Sequence, residues 1–475
     1  MEGPIRLGRR GTATRLLPAL LAAAILAFGG FGCKVESREI REKTQPVTLR
    51  WWSVFSDYSA LAPVIRDFRV RHPNVKVEYR KFGFDEYEQA VLDAMAEGRG
   101  PDVLSLHHTW LREWQERLVP SPATLEMAFV EIQGSIKKEQ VTVLREVSGA
   151  TPGQVNNDFL DVVSGDVILP VPQSDPRLPP VSRVFGLPLS VDTMVMYYNR
   201  GILDAAEIPK PAQDWGEFQQ QVRSLTKLDE SGGLVQSAVS LGTADNVERA
   251  ADILSLLMIQ NGTPMSDQTG GVTFDRHSEA TVGQPMTPGA TALVFYNDFA
   301  NPLKEVYTWN EEQPDSLQAF MSGKTAYFFG YSYHLPQIRA QAPDLNLGIA
   351  AMPQIAGNQP VNYANYWVET VSGKTAHLDE AWSLVRFVTQ ADNAKKYLSS
   401  AGRPTALRQL VNGQLEESDM SAFASQLPSA RSWYRGKDGQ ATERVFLDMI
   451  SAMLQPEADP QRILEVGAVK VNQTL

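Results

Sequence analysis

The segment Gly330-Tyr-Ser-Tyr-His334 comes nearest to a catalytic motif. It places a serine two residues after a glycine, as in the strand-to-helix turn that exposes a nucleophilic serine. His334 stands where that tight turn needs a second glycine, so acyl-transfer chemistry is not predicted. The sequence also lacks a phosphate loop, a dinucleotide-type glycine fingerprint and a His-Glu-x-x-His zinc helix. These absences point away from an enzyme.

His107 and His108 are the residues whose types best suit a metal ion. Neighbouring residues of a strand point to opposite faces, and the sequence offers no spaced set of cysteines or carboxylates to complete a site. Carboxylates occur throughout this acidic chain, and no glycosidase-like pair stands apart from that background. We therefore expect no metal and no cofactor.

Aromatic and hydrogen-bonding side chains are concentrated in residues 53–58 and 107–110. The apolar pattern predicts strands at 47–52, 75–79 and 102–106, with a helix in each interval. This βαβαβ order predicts a parallel sheet with right-handed crossovers. Ligands lie beyond the carboxyl ends of the strands in such sheets, so both segments are expected at a binding site.

The β-rich stretch from Val184 to Arg200 separates two halves that each have α/β patterns. Apolar residues alternate over 187–191 and again over 194–198, and Asp192-Thr193 interrupts them. One interpretation is a segment that leaves the first lobe and starts the second, with Asp192 near the join. The alternative is an ordinary core strand with a bulge.

The remaining segments contain further helix and strand patterns. Residues 125–136 and 141–147 are predicted to be helical, followed by a proline-rich loop, as an elaboration of the first lobe. Helices are expected over 214–225, 246–260 and 287–299, and strands before Gly330 and over 345–352. A strongly amphipathic helix begins near Leu378, with Trp382 on its apolar face.

The N-terminus has the pattern of a secretory signal. Four arginines precede an apolar segment at 16–31 that is too short for a comfortable membrane span. Cys33 is the only cysteine, which excludes an internal disulfide. Its position resembles the lipobox of bacterial lipoproteins, where cleavage exposes a cysteine for lipidation; the alternative is an incidental cysteine. Residues 34–45 are polar and are expected to form a flexible tether.

The length and charge of the chain limit its possible domain count and partners. A chain of 475 residues with 43% hydrophobic and 21% charged residues has material for two or three globular domains. Removal of residues 1–32 would change the formal net charge from −11 to −14. An acidic chain without a basic cluster is a poor nucleic-acid binder, so no nucleic-acid partner is expected.

Five stretches, in their order along the chain, together resemble one family, and the resemblance runs from about residue 45 to residue 410. The chain resembles the extracellular solute-binding proteins of bacterial ABC importers, in the group of maltose-binding-protein-like sugar-binding lipoproteins. The stretches that carry the resemblance are 68–79, 98–103, 186–199, 320–326 and 380–387.

The resemblance implies an α/β, two-lobed periplasmic-binding-protein fold with hinge crossings between the lobes. The signal peptide would span 1–32 and the lipidated tether 33–45. Lobe 1 would comprise 46–190 and 360–400, and lobe 2 would comprise 191–359 and 401–475. The segment around Asp192 would be one hinge strand, and residues 356–363 would form the return crossing.

The resemblance also implies a set of ligand contacts in the cleft between the lobes. Tyr333 falls where many relatives have a tryptophan that stacks on the sugar, and Tyr366 and Trp367 follow the return crossing. Paired aromatic residues alternate along strands, so one member of each pair is expected in the core. The predicted ligand-binding residues are Trp52, Phe55, Asp57, His108, Trp110, Asp192, Tyr331, Tyr333, Asn365, Tyr366 and Trp367.

The implied function is capture of a carbohydrate between closing lobes and its delivery to an ABC permease. The protein would be a monomer outside the cytoplasm, anchored to the cell membrane through lipidated Cys33. Two alternatives stay open. One is a binder of another solute, such as a peptide, a polyamine or glycerol phosphate, although the last would call for clustered Lys or Arg. The other is a surface enzyme acting on polysaccharide.

Overall fold

Two five-stranded sheets and one three-stranded sheet organise the protein. The computed structural model describes residues 38–134, 138–267 and 269–475, so the predicted signal peptide and Cys33 lie outside the described residues. Within those ranges no helix has the length and apolar character needed to cross a membrane. The strands are β1 Val47–Ser53, β2 Val75–Lys81, β3 Val103–His107, β4 Thr124–Gln133, β5 Glu139–Ser148, β6 Ile168–Val171, β7 Val181–Val184, β8 Gly186–Leu187, β9 Asp192–Thr193, β10 Val195–Asn199, β11 Lys227–Leu228, β12 Leu234–Val239, β13 Thr325–Gly330, β14 Leu347–Ala351, β15 Asn362–Asn365, β16 Trp367–Val371 and β17 Ala430–Arg431.

Helices cover the sheets and connect half of the consecutive strands in the described part of the chain. They are α1 Arg38–Lys43, α2 Tyr58–Arg71, α3 Phe84–Ala96, α4 Leu111–Trp114, α5 Pro152–Asp158, α6 Asp161–Val167, α7 Arg200–Ala205, α8 Trp215–Leu225, α9 Ala250–Gln260, α10 Pro288–Asp298, α11 Ser316–Met321, α12 His334–Gln341, α13 Leu378–Val388, α14 Ala391–Ala401, α15 Arg408–Leu415, α16 Ser421–Gln426, α17 Gly439–Ala452 and α18 Pro460–Asn472.

The first sheet has the order β2-β1-β3-β16-β8. Strands β2 and β3 both run parallel to β1, which confirms the predicted βαβαβ start, whereas β16 runs antiparallel to β3 and to β8. Helix α2 buries Leu61, Ile65 and Phe68 against this lobe, as its spacing predicts. The carboxyl ends of β1 and β3 therefore lie at one edge of the sheet, beside the amino end of β16.

The second sheet has the order β11-β12-β13-β10-β14. Strand β10 lies between β13 and β14 and is antiparallel to both. Its residues Val195 and Tyr197 face one hydrophobic cluster, and Met196 and Tyr198 face the other. This alternation is what a central strand covered on both faces requires.

The prediction of helices near 125–136 and 141–147 is wrong. Strands β4 and β5 form a ten-residue antiparallel hairpin in register from Thr124↔Ser148 to Gln133↔Glu139. The first strand contains the helix formers Leu, Glu, Met and Ala, but the second is rich in β-branched residues. Pairing between the two strands outweighs the local helix preference of the first.

Short strands connect the lobes. Strand β9 pairs antiparallel with β15, with Asp192 opposite Asn365 and Thr193 opposite Ala364, and β17 runs parallel to β15. Val191 packs in the core of the first lobe and Met194 in that of the second. Stretch 184–200 thus passes from one lobe to the other at Asp192, and it is not one continuous core strand.

The C-terminal region packs on both lobes. Ala406 and Leu407 belong to the hydrophobic core of the first lobe, and Trp433 and Phe446 belong to that of the second. The first lobe therefore extends beyond residue 400, the boundary that the resemblance implies. We propose that the chain makes its last passage between the lobes near β17.

A matched pair of glycine substitutions tests the packing of β8 on β16. A Cβ on Gly186 would lie 2.5 Å from Val368 Cγ1 and 2.7 Å from the carbonyl oxygen of Glu369. Gly186→Ala should lower the free energy of unfolding by about 1–3 kcal/mol, because backbone must shift. A Cβ on Gly413, in α15, meets nothing within 4 Å, so Gly413→Ala should raise stability by about 0.5–1 kcal/mol. Urea unfolding measures both, and equal stabilities for Gly186→Ala and the parent protein would contradict this packing.

Candidate functional site

A cavity of about 170 Å³ lies between the two lobes. The loop after β1 and the turn after β3 line it from the first lobe, and the start of α9 lines it from the second. The hinge strands β9 and β15 form part of its wall. The sequence of the first lobe predicts a ligand at this edge of the sheet, where the carboxyl ends of the strands meet.

One wall of the cavity is aromatic. The ring centroid of Trp367 lies 5.4 Å from those of Phe55 and Trp110, and both of these rings meet it edge to face. Phe84 meets the Trp367 ring edge to face at 6.2 Å. Phe55 also stacks parallel to Tyr333 at 6.2 Å. Since Phe55 belongs to the first lobe and Tyr333 to the second, this stack spans the cleft.

The carboxylate of Asp192 lies at the hinge. Its Oδ2 accepts hydrogen bonds from the backbone N–H of Ser332 at 2.9 Å and from the Ser332 hydroxyl at 2.6 Å. Arg403 Nη1 is 3.9 Å away. Burial raises the pKa of Asp192 to about 6, although Arg403 and Ser332 oppose that shift. Its Oδ1 has no hydrogen-bond partner in the described part of the chain.

A second cluster of charged side chains in the cavity wall is centred on Arg249, which lies just before α9. Its guanidinium makes a bidentate pair with Asp252, both distances being 2.9 Å, and lies 3.2 Å from Glu443. Burial disfavours the charged guanidinium, but the charges of Asp252 and Glu443 outweigh burial and raise the pKa of Arg249. The Tyr331 hydroxyl donates to Asp252 Oδ2 at 2.7 Å. This arrangement holds Asp252 rigidly beside the cavity.

His108 stacks on Tyr366, with ring centroids 4.6 Å apart and planes 7° apart. Its Nδ1 lies 3.4 Å from Asp166 Oδ2, which accepts a 2.7 Å hydrogen bond from the Tyr366 hydroxyl. Burial raises the pKa of Asp166, but His108 and Arg435 more than offset this and lower it. His108 Nδ1 thus pairs with Asp166, and within the described ranges Nε2 has no hydrogen-bond partner.

Glu369 lies on β16, two residues beyond Trp367 on the same face of the strand. Its Oε2 accepts a 2.7 Å hydrogen bond from Trp51 Nε1 and another of 2.7 Å from the Ser105 hydroxyl. Burial raises the pKa of Glu369 to about 7, and these two hydrogen bonds only partly oppose it. Glu369 is only 5% exposed, yet it lines the cavity.

Hydrogen bonds across the hinge connect the two lobes. His107 Nε2 lies 3.2 Å from Asn365 Oδ1, and Asn365 Nδ2 lies 3.4 Å from Asp252 Oδ2. Burial and the charge of His108 lower the pKa of His107, as does Arg249. A neutral His107 therefore joins the first lobe to Asp252 in the second through Asn365.

Three of the predicted contact residues lie outside the cavity. Trp52 faces away from it and packs on Phe82 at 4.7 Å. Asp57 is exposed and pairs with Lys81 at 2.8 Å. Tyr331 is fully buried behind Asp252. The predicted residues that do line the cavity are Phe55, His108, Trp110, Asp192, Tyr333, Asn365, Tyr366 and Trp367, and their contact with a ligand stays a prediction.

Sequence reasoning missed most of the charged lining. The residues it did not find include Arg249, Asp252, Glu369, Arg403 and Glu443. Glu369 carried a usable signal, because a single carboxylate within the apolar run 368–371 is rare in a buried strand. Arg249 and Glu443 are 194 residues apart, and no local pattern relates them.

A comparison with protein families finds one match that covers most of the chain. The family described as bacterial extracellular solute-binding protein matches residues 52–395.

Individual relatives share only about a fifth to a quarter of their residues with this chain over the matched stretches. A binding protein of Brucella abortus is 21% identical over 299 residues, which are 62% of this chain and 68% of that protein. The multiple sugar-binding protein of Streptococcus mutans is 25% identical over 229 residues, 48% of this chain and 52% of that protein. The fold is similar to that of an ABC transporter solute-binding protein from Thermotoga lettingae bound with α-D-tagatose, with a TM-score of 0.62, 18% identity, and coverage of 90% of this chain and 99% of that one.

The raised pKa of Glu369 predicts a pH-dependent stability. Between about pH 4.5 and about pH 7 the folded protein binds more protons at this carboxyl than the unfolded chain does, so stability falls as the pH rises. Glu369→Gln removes that loss. Its unfolding free energy relative to the parent protein should therefore increase by about 3 kcal/mol between about pH 4.5 and pH 8.

The measurement is urea unfolding at several pH values. Glu78→Gln is the control, because its stability difference from the parent protein should change with pH in the opposite direction. A hydrogen bond from Lys76 lowers the pKa of Glu78, so Glu78 contributes stability that is present at high pH and lost as the pH falls. The Glu78→Gln variant should thus lose stability relative to the parent as the pH rises. A difference for Glu369→Gln that does not change with pH would contradict the buried, unpaired carboxyl.

Proposed function

We propose, because this chain belongs to the bacterial extracellular solute-binding protein family, that it captures a carbohydrate between its two lobes. The observation that carries the proposal is the composition of the interlobe cavity, where aromatic rings and hydrogen-bonding side chains meet. Aromatic faces contact the C–H faces of a pyranose with little loss of rotamer freedom. Carboxylate, amide and imidazole groups bond its hydroxyls and fix its orientation.

Two unpartnered polar atoms support this assignment. Asp192 Oδ1 accepts, and His108 Nε2 accepts or donates according to its tautomer, and neither has a hydrogen-bond partner within the described ranges. Leaving such atoms buried without a partner costs free energy. A polyhydroxylated ligand would satisfy both atoms while its apolar face rests on Trp367. The name of the Streptococcus mutans relative and the tagatose in the Thermotoga lettingae structure agree with this class of ligand.

Lobe closure is the proposed mechanism of capture. The ligand would contact Trp110 and Trp367 from the first lobe and Tyr333 from the second. A ligand shifts the balance between open and closed forms only through its greater affinity for the closed one, so both lobes must contribute contacts. The closed form would then dock on the membrane subunits of an ABC importer. No covalent bond changes in this cycle.

The N-terminal sequence supports a location outside the cytoplasm. An arginine-containing start, an apolar segment and Cys33 have the order of a lipoprotein signal. We propose that lipidated Cys33 anchors a monomer to the cell membrane. The predicted tether 34–45 is partly a folded element, because residues 38–43 form α1 and Lys43 Nζ lies 2.7 Å from Asp379 Oδ2 of the first lobe. A second membrane contact would come from the ABC permease itself.

Two aromatic substitutions, on opposite lobes, test the proposed cavity. A thermal-shift screen of the full chain in mild detergent against neutral mono- and oligosaccharides should first identify a ligand by a saturable increase in Tm. Trp367→Ala and Tyr333→Ala should each raise the Kd of that ligand by at least about tenfold, because each variant loses an aromatic face worth about 1.4 kcal/mol or more of binding free energy. Titration calorimetry measures the affinities.

Tyr58→Ala is the matched control, because Tyr58 is 55% exposed and lies outside the cavity. It should leave the affinity unchanged. Unchanged affinity in both Trp367→Ala and Tyr333→Ala would place the ligand elsewhere. A shift with peptides or amino acids, and with no sugar, would overturn the carbohydrate assignment.

A further inference from the structure

The cavity contains more acidic than basic side chains. Among the residues that the structure describes, four carboxylates line it against two guanidinium groups. The carboxylates belong to Asp192, Asp252, Glu369 and Glu443, and the guanidinium groups to Arg249 and Arg403. A lining with this surplus favours a ligand that brings positive charge.

The two arginines are already committed to other carboxylates. Arg249 pairs with both Asp252 and Glu443, and Arg403 is 3.9 Å from Asp192. Glu369 forms no ion pair with any residue in the described part of the chain. Its polar partners are the two neutral donors Trp51 and Ser105, and both bond Oε2. Oε1 is therefore the atom that is free to meet a ligand.

Aromatic rings surround the same end of the strand. Trp367 precedes Glu369 by two residues, so the two side chains project from the same face of β16. Phe55, Phe84 and Trp110 each present an edge-to-face contact with Trp367. A cation that approaches such a cluster is attracted by the ring faces, and more strongly where water is excluded.

We infer that the ligand is a carbohydrate with a basic amino group, whose ammonium donates a charge-assisted hydrogen bond to Glu369 Oε1 beside the Trp367 ring. This inference rests on the proposed capture of a carbohydrate and names its chemical class. An unpaired carboxylate is costly to bury, and a bound ammonium supplies the missing charge. Burial raises the pKa of Glu369, and a bound ammonium would return the carboxyl to its ionised form.

The experiment compares sugars in matched sets near neutral pH by titration calorimetry of the full chain. D-Glucosamine is compared with D-glucose and N-acetyl-D-glucosamine, and the chitosan disaccharide with cellobiose and di-N-acetylchitobiose. The amine should bind at least about tenfold more tightly than both neutral counterparts in at least one set, since a charge-assisted hydrogen bond replaces a neutral one. Spermidine serves as an amine without a sugar.

Variants assign the preference to one side chain. Glu369→Gln should remove the amine preference, because Gln still accepts from Trp51 and Ser105 through its carbonyl but offers no negative charge to the ammonium. Glu116→Gln makes the same change in net charge at an exposed position outside the cavity, and it should keep the preference. The Tm of each variant without ligand shows whether it is folded.

Each outcome decides the inference. Loss of the preference in Glu369→Gln alone supports it. Neutral sugars that bind as tightly as the amines overturn it and leave the proposed function standing, as does an amine preference that survives in Glu369→Gln. Binding of spermidine without any sugar, or no binding of any carbohydrate in the neutral screen and in the matched sets, overturns the proposed function and the inference together.

Discussion

The pairing of Asp192–Thr193 with Ala364–Asn365 is the constraint on which the cavity depends. It places two crossings of the chain side by side, so the lobes can rotate about a common line without losing their alignment. Both residues at the cavity end of this ladder, Asp192 and Asn365, also line the cavity. The Asp192 carboxylate is further bonded by Ser332, in the turn after β13. The hinge thus positions polar groups as well as connecting the lobes.

Buried charge in the cavity is arranged at a cost to stability. Asp192 and Glu369 both have pKa values raised by burial, to about 6 and about 7. A hydrophobic or amide side chain at either position would avoid that cost. Residues that weaken the fold in this way are expected at functional sites, where the same groups gain partners when a ligand binds. The buried rings of Trp110 and Tyr366 give the cavity wall an apolar surface, and a less polar surrounding strengthens any charge interaction that forms.

The cavity draws on both lobes through contacts of different kinds. Trp367 and Glu369 come from a strand of the first sheet, and Tyr333 comes from the turn before α12 of the second lobe. Phe55 already stacks on Tyr333 across the cleft, and Asn365 bonds both His107 and Asp252. These contacts stabilise the described arrangement of the lobes even before a ligand adds its own. A ligand therefore shifts an equilibrium between open and closed lobes to which the protein's own side chains already contribute.

The sequence by itself determined elements that depend on local pattern: the βαβαβ start and aromatic residues such as Trp110 at strand ends. It left the stretch around Asp192 open between a passage from lobe to lobe and a bulged core strand, and only the packing of Val191 and Met194 in different cores decided this. Alternation assigns Trp51 and Trp52 to opposite faces of β1, but it cannot say whether either face meets the cavity. The assembled sheet shows that both tryptophans are buried and that neither lines the cavity. The β4–β5 hairpin depended on pairing with a later segment, which local helix preference does not report. Only the tertiary structure brought Arg249 to Glu443, because a charged pair 194 residues apart is created by packing and has no local signature.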